Sequence, residues 1–489
     1  MFIGLDLGTS GVRAILVTEE GRVLRAAEAA VKTRHPHPGW SEQDPADWIA
    51  AARGALADLA AAEPAAMARL RGIGLSGHMH GAVLLDGDAR VLRPCIMWND
   101  TRSHAQAARL DADPRFRAIS GNIVFPGFTA PKLAWVAETE PDIFARLAHV
   151  LLPKDYLAWW LTGQIGSEMS DAAGTAWLDL AARDWSAPLL AASGMRRAQM
   201  PKLREGTEPV GTLQGALAAE LGLPEGVRVV AGGADNAAAA CGVGALGEGD
   251  AFVSLGTSGV LLAARDGCHP GPDTAVHTFC HAVPGAWYQM GVILAATDSL
   301  NWLARITGAS PAALTAELGT AVKPPGRLRF LPYLSGERTP HNDSAVRGAF
   351  LNLDIAQDRA DLTRAVLEGV SFALRDSLQA LRATGARIDR VLAIGGGARS
   401  AYWLELLACV LDLPVDLPEQ GEFGAALGAA RLAICGCTGA APAAVMTRPA
   451  VARTITPRAD LRAGFADAHA AFAASYPVIK DLPQPKGTP

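Results

Sequence analysis

No Gly-Lys dipeptide occurs anywhere in this chain of 489 residues. That absence excludes a Walker phosphate loop, in which the lysine follows the last glycine directly. Aromatic residues are scarce, at 6%, so aliphatic and small side chains, Ala above all, must build the core. No uninterrupted apolar run is long enough to span a bilayer. The chain starts straight into Phe2-Ile3-Gly4-Leu5 without a basic region, which predicts no signal peptide. Positive charge is not in surplus either. The 44 Lys and Arg against 49 Asp and Glu leave a net charge of −5, which removes the electrostatic case for a nucleic acid or an anionic membrane as partner. The seven cysteines are odd in number and scattered, and only Cys435 and Cys437 are close. A lone C-x-C lacks the paired spacing of a zinc site, so the expectation is a reduced cytoplasmic protein with buried thiols.

What is present is a globular balance, 50% hydrophobic and 19% charged, in a chain too long for one compact core. Two domains are expected, and the sequence repeats itself accordingly. FIGLDL-GTSG-VRAILV near the start reads as strand, glycine turn and strand, and AFVSL-GTSG-VLLAAR returns at 251–265 with the same grammar. Identical turns inside matching apolar strands argue for two related halves. The expected division is a first lobe over 1–246, a second over 247–440, and a C-terminal helix with a flexible tail over 441–489. Asp44-Pro45-Ala46-Asp47 is a helix start, with a cap, a proline and an acid near the dipole. Trp48, Ala52, Leu56 and Leu59 continue it as an apolar stripe, and 359–381 carries a comparable pattern. The stretch 475–489, with four prolines, reads as a frayed tail.

Three glycine turns are the alternatives for holding phosphate. Gly8, Thr9 and Ser10 in the first GTSG turn, and Gly256, Thr257 and Ser258 in the second, offer backbone N–H groups and hydroxyls where a strand ends. The third, Gly395-Gly396-Gly397, follows an apolar strand and leads to a helix expected to start near Ser400, which aims a dipole at an anion. Its GGGARS spacing is not that of a dinucleotide fold. Each turn taken singly is as well explained as a tight loop; together they point to a nucleotide between two lobes.

Two acids stand where chemistry needs them. Asp6 lies between Leu5 and Leu7 on an apolar strand, where a carboxylate is costly unless paired or bound to a cation. The repeat has Ser254 at that position, so the fold itself does not require an acid. Asp6 is expected to serve Mg²⁺, directly or through water. Asp235, after a Gly-Gly turn and at the start of a helix with Asn236, reads either as a helix cap or as a general base. A third cluster joins His78, Met79, His80 and Gly81 to Trp98, Asn99, Asp100 and Arg102. His78 and His80 would face one side of a strand, without a third ligand for zinc. An indole beside Asn, Asp and Arg suits a sugar, and an ordinary loop with a half-buried Trp is the alternative.

Taken together these motifs resemble the FGGY family of carbohydrate kinases, and within it the branch acting on D-xylulose. The likeness runs from GLDLGTS at 4–10 through GHMHGAVLLD at 77–86, WNDTR at 98–102 and PKLAW at 131–135. It continues with GGADNAAAA at 232–240, SLGTSGV at 254–260 and PYLSGERTPHND at 332–343. EGVSFALRD at 368–376, GGGARS at 395–400 and FGAALGAARLA at 423–433 complete it. The resemblance implies an α/β protein with a duplicated actin-like, ribonuclease-H-like fold and an active site in the cleft between lobes. It implies Asp235 as catalytic base, Asp6 at Mg²⁺ and phosphate, and Gly8, Thr9 and Ser10 towards the transferred phosphate. Thr257, Gly396, Gly397 and Ser400 would then lie on the ATP side, and Met79, His80, Gly81, Trp98 and Asn99 would hold the sugar. Two departures from the family pattern are Asn352, where relatives usually have glycine, and Val83 in place of threonine. The alternatives are a family kinase for ribulose, a pentitol or gluconate, and more remotely a non-catalytic actin-like assembly protein. A homodimer is the default expectation for its assembly.

Overall fold

The computed structural model describes residues 1–419 and 424–482. The first lobe opens with three antiparallel strands, β1 (Phe2–Gly8), β2 (Gly11–Val17) and β3 (Val23–Ala30). Helix α1 (Pro45–Ala62) follows, with Asp44 as its cap accepting from Ala46 N. Strand β4 (Gly72–Gly77) then lies parallel to β1, and β5 (Pro209–Thr212) and β6 (Arg228–Val230) complete the sheet. Their order is β5-β6-β4-β1-β2-β3, with the short pair Gly233–Ala234 also on β4. Helix α2 (Asp235–Val243) leads out of this lobe.

The second lobe repeats the plan. Strands β7 (Ala251–Leu255) and β8 (Gly259–Arg265) form a hairpin, and β9 (His277–Cys280) and β10 (Trp287–Ile293) extend it. Helices α3 (Thr297–Thr307) and α4 (Arg359–Ala383) cover the sheet. Strand β11 (Val391–Ile394), helix α5 (Ala401–Leu411) and strand β12 (Val415–Pro418) follow. Helix α6 (Ala425–Thr438), strand β13 (Val451–Ile455) and helices α7 (Arg462–Ala473) and α8 (Ser475–Lys480) end the described chain. The second sheet runs β9-β10-β8-β7-β11-β12-β13. In both lobes an antiparallel meander is followed by parallel strands added beyond its first member, so the duplication read from the two GTSG turns holds for the whole topology. The fold is the expected duplicated α/β architecture in two lobes.

The turns are tight because the ladder leaves them no slack: Gly8 faces Gly11, and Leu255 faces Gly259. A second set of glycines governs how α6 packs. A Cβ at Gly4 would lie 1.8 Å from Ala426 O, one at Gly74 1.8 Å from Ala429 O, and one at Gly428 1.7 Å from Ala238 O. Backbone meets backbone at these points, and no larger residue fits. Helix α6 is therefore seated on β1, β4 and α2 of the first lobe, sharing a core with Phe2 and Ile15. Helix α6 lies within the 247–440 stretch expected as the second lobe, and it packs across onto the first.

Beyond 440 the chain forms strand β13 and helices α7 and α8. Strand β13 pairs with β12 in the second sheet, and Tyr476 of α8 stacks on His341 with ring centroids 3.5 Å apart. The frayed reading of 475–489 fails over α8, whose aromatic and Ile479 side chains find partners that the proline count hides; residues 483–489 lie outside the described residues. Asn352, the departure from glycine, has φ of +65°. Asn is one of the few residues that tolerate this left-handed conformation, and its Nδ2 donates to Arg327 O at 3.2 Å. No helix among the described residues is long and apolar enough to cross a membrane.

Candidate active site

Asp6 sits near the end of β1, in register with Ser76 of β4 and Arg13 of β2. Its Oδ1 is buried and has no hydrogen-bond partner. Burial pushes its carboxyl up from the usual range, with Ser76 and the Arg13 charge partly offsetting this. An opening of about 490 Å³ lies over it, lined by Asp6, Gly8, Ser10 and Arg13 among others.

Asp235 is the first residue of α2, and Ala234 occupies the cap position. The helix-cap reading of Asp235 is therefore set aside: its Oδ1 accepts from its neighbour Asn236, from the backbone N at 2.6 Å and from Nδ2 at 2.9 Å. Desolvation raises its carboxyl to about 7, the charge of Asp6 adds to the rise, and the two Asn236 contacts oppose it. Two carboxylates, one from strand β1 and one from the start of helix α2, thus share one electrostatic neighbourhood, each with its ionised form disfavoured. Behind them, Ala234 N donates to Ser170 Oγ at 3.0 Å, and Ser170 Oγ donates to Glu168 Oε1 at 2.8 Å. Buried Lys154 lies 3.4 Å from Glu168 and 3.5 Å from Asp171. This ion cluster anchors the strand that delivers Asp235, and nothing in the local sequence pattern announced it.

Strand β4 ends at Gly77, so His78 and His80 are not one face of a strand. His78 is buried in edge contact with Trp48, and burial lowers it to about 3. His80 adopts φ of +71°, a strained conformation for a non-glycine residue. Its carbonyl is held by Lys132 Nζ at 2.8 Å and Thr129 Oγ1 at 3.1 Å, its Nδ1 contacts Gly174 O at 2.6 Å, and its ring stacks on Phe128. Gly174 must be glycine here, since a Cβ would come within 2.6 Å of the His80 ring. Burial lowers His80 to about 3, leaving it a neutral hydrogen-bonding group. Met79 is buried, with the Tyr288 hydroxyl of the second lobe 3.9 Å from its Sδ. Gly81 packs against Pro153 and Cys95.

The WNDTR segment divides. Trp98 is 43% exposed and donates from its indole to Thr9 Oγ1 at 3.0 Å, and Asn99 is exposed beside it. Asp100 and Arg102, grouped with them from the sequence as sugar-binding polar residues, are instead buried. Arg102 pairs with Asp100 and Glu42 at 2.7 and 2.8 Å and lies 3.5 Å over the Trp40 ring. Their hydrogen-bonding capacity goes to bracing the loop.

In the second lobe, Thr257 and Ser258 are exposed at the second GTSG turn, and the carbonyls of Gly256 and Thr257 accept from Thr297 N and Ala296 N at the start of α3. Gly395 has φ of +90°, and a Cβ there would come within 2.8 Å of Leu255 O. A Cβ on Gly396 would meet open space, whereas Gly397 packs against Leu255 and Trp403. Ser400 caps α5, accepting from Trp403 N at 3.3 Å. A cavity of about 760 Å³ opens here, lined by Ala239, Ser254, Gly395, Ala398, Arg399 and Leu417 among others, a size that suits a nucleotide. Among the described residues no group of three or more His, Cys, Asp or Glu is placed to hold a metal ion.

Models of the FGGY family of carbohydrate kinases match the chain twice, the N-terminal domain over residues 1–242 and the C-terminal domain over 251–437. The chain is 48% identical over 435 residues to the xylulose kinase of Escherichia coli K12, covering 88% of this chain and 89% of that protein. Among solved structures, a kinase from Brucella ovis described as a xyloylose kinase is 56% identical with a TM-score of 0.97, covering 98% of this chain and 99% of that one. The xylulose kinase of Rhodospirillum rubrum is 31% identical with a TM-score of 0.90, covering 98% of each chain.

Proposed function

Since this chain belongs to the FGGY family of carbohydrate kinases, we propose that it transfers the γ-phosphoryl group of ATP to O5 of D-xylulose, with Asp235 as general base. It is a sugar kinase; the choice of D-xylulose rests on relatives of that name at up to 48% identity across most of both chains. The observation that carries the chemistry is the pair of cleft carboxylates, Asp6 with a buried oxygen lacking a partner and Asp235 raised to about 7.

Phosphoryl transfer to an alcohol needs a group that takes the hydroxyl proton as the P–O bond forms. Asp235 suits this task, since a carboxylate raised to about 7 keeps a substantial ionised fraction at neutral pH and is basic enough to accept a proton. Asn236 holds its Oδ1, which leaves Oδ2 for the sugar hydroxyl. Gly8, Thr9 and Ser10 would steady the transferring group through backbone N–H and hydroxyl donors. Gly256, Thr257, Ser258, Gly396, Gly397 and Ser400 line the ATP side. Met79, His80, Gly81, Trp98 and Asn99 would hold the ketose, His80 as a neutral partner and Trp98 as an apolar face. The free hard oxygen of Asp6 fits Mg²⁺, directly or through water. Bound there with ATP, the ion would neutralise charge on the β- and γ-phosphates. The seven free thiols suit the reducing cytoplasm as the place of action.

The test is ADP release measured over a panel of D-xylulose, ribulose, pentitols, gluconate and glycerol. The highest kcat/KM is expected with D-xylulose. A preference for any other member of the panel would overturn the choice of sugar, and no ADP release with any would overturn the kinase chemistry.

A further inference from the structure

The SGERTPHND segment has no task in the account above, yet it carries a cation into the cleft. Its backbone is fixed on all sides. Thr339 Oγ1 donates to Ala275 O and accepts from Val292 N, both at 3.0 Å, and Glu337 exchanges two backbone bonds with Asp343 at 2.8 Å. The buried Glu337 carboxylate accepts from Leu294 N at 3.0 Å and Arg338 N at 2.8 Å. Both bonds go to Oε1, Oε2 is buried without a hydrogen-bond partner, and the carboxylate makes no ion-pair contact with the neighbouring guanidinium, although its charge is felt there.

The Arg338 side chain turns towards the first lobe. Its Cζ lies 4.4 Å from the Phe125 ring centroid, and its Nη1 is 3.3 Å from His277 Nε2. A guanidinium only donates, so Nε2 of His277 is the acceptor and the ring proton sits on Nδ1. Phe125 lies 5.5 Å from Phe128, which stacks on His80 at 4.6 Å, and His277 stacks on Phe279 at 5.4 Å. Arg338 thus stands in a box of rings from both lobes, next to the residue proposed to hold the sugar. The charges felt by His80 include Arg338, whereas Asp235 feels Asp6; Arg338 belongs to the His80 end of the site. Among the described residues its guanidinium has no carboxylate partner within ion-pair distance, and burial lowers it to about 10. The Glu337 charge offsets only part of that desolvation, and a buried cation with no direct ion pair is unfavourable; the surrounding segment maintains it nonetheless.

We propose that Arg338 is a specificity-determining residue, donating from its guanidinium to the oxygens at the end of the ketose remote from the phosphorylated hydroxyl, the C1 hydroxyl and the C2 carbonyl. The assignment rests on the reading of the site as a ketose kinase with Asp235 as base. The chemistry matches: a ketone oxygen only accepts, and a guanidinium only donates, in a fork that spans two adjacent oxygens. The Phe125 face beneath it excludes water from one side and strengthens the contact.

The experiment compares the parent with Arg338→Gln and Arg338→Lys on D-xylulose, on 1-deoxy-D-xylulose, which lacks the C1 hydroxyl, and on xylitol, which lacks the carbonyl. Arg338→Gln is expected to raise KM for D-xylulose by roughly 10- to 100-fold with KM for ATP unchanged. The parent's preference for D-xylulose over at least one analogue should collapse to within about threefold. Arg338→Lys, a point charge in place of a fork, should recover only part of the loss; it carries the test should the Gln variant fail to fold. An equal loss on all three substrates would overturn the proposal. If the parent turned over no ketose, the functional reading would fail separately. Calorimetric binding of the same three compounds would then decide on Arg338, with equal affinities for parent and variant counting against it.

Discussion

The indole N–H of Trp98 donates to the Thr9 hydroxyl at 3.0 Å, so the loop proposed to face the sugar is tied to the turn proposed to face the phosphate. Trp98→Phe keeps an apolar face and removes the tie. KM for both sugar and ATP should rise by about 2- to 10-fold, because both elements lose a shared restraint. The melting temperature should move by less than about 1 °C, the residue being largely exposed. Steady-state kinetics with each substrate varied in turn checks the first part, and a thermal melt the second.

The acid limb of activity follows from Asp235. A base must be ionised, so kcat/KM should fall as pH drops below about 7. Because the charge of Asp6 contributes to that value, the residual activity of Asp6→Asn should show its limb at lower pH. A pH–rate profile of parent and variant measures the displacement, and an upward shift would contradict the coupling.

Stability should carry the same signature with a definite sign. Folded Asp235 keeps its proton up to about pH 7, whereas the unfolded side chain releases it near 3.8. Between those values the folded state binds more protons, so this residue's contribution to stability declines as pH rises through that window. Asp235→Asn should therefore melt at least about 2 °C above the parent at pH 8 and level with it near pH 4.

Gly428 admits the Ala238 backbone to within 1.7 Å of where a Cβ would stand. Gly428→Ala should cost about 3 kcal/mol or more, because backbone on both sides must shift. Asn352 offers a milder contrast at φ of +65°: Asn352→Ala should cost about 1–2 kcal/mol, and Asn352→Gly less than 1 kcal/mol or so. Denaturant unfolding of the three variants gives the ranking.

The features legible in the sequence were those with local causes. Strands β1 and β2 and the Asp44 cap follow from short apolar runs, a glycine turn and one side chain reaching two residues on. The duplication was legible because the same short turn occurs twice. Asp6 stood out as a charge among Leu residues, and no longer-range knowledge was needed to question it. Asp100 and Arg102 were misjudged because Glu42, the partner that buries them, lies 60 residues from Arg102. Lys132 and Arg338 went unread for a similar reason: each matters through His80 or Phe125, which only the fold brings near. The attachment of α6 to the first lobe is written in Gly4, Gly74 and Gly428, but glycines at that spacing have no meaning until the partner backbone is known.

The most direct test of the account is single-turnover phosphorylation of D-xylulose by Asp235→Asn, with sugar and ATP binding measured on the same preparation. The account predicts affinities within about threefold of the parent and a transfer rate lower by about 10²- to 10⁴-fold. A transfer rate near that of the parent, with binding intact, would contradict Asp235 as the base on which the proposed mechanism depends.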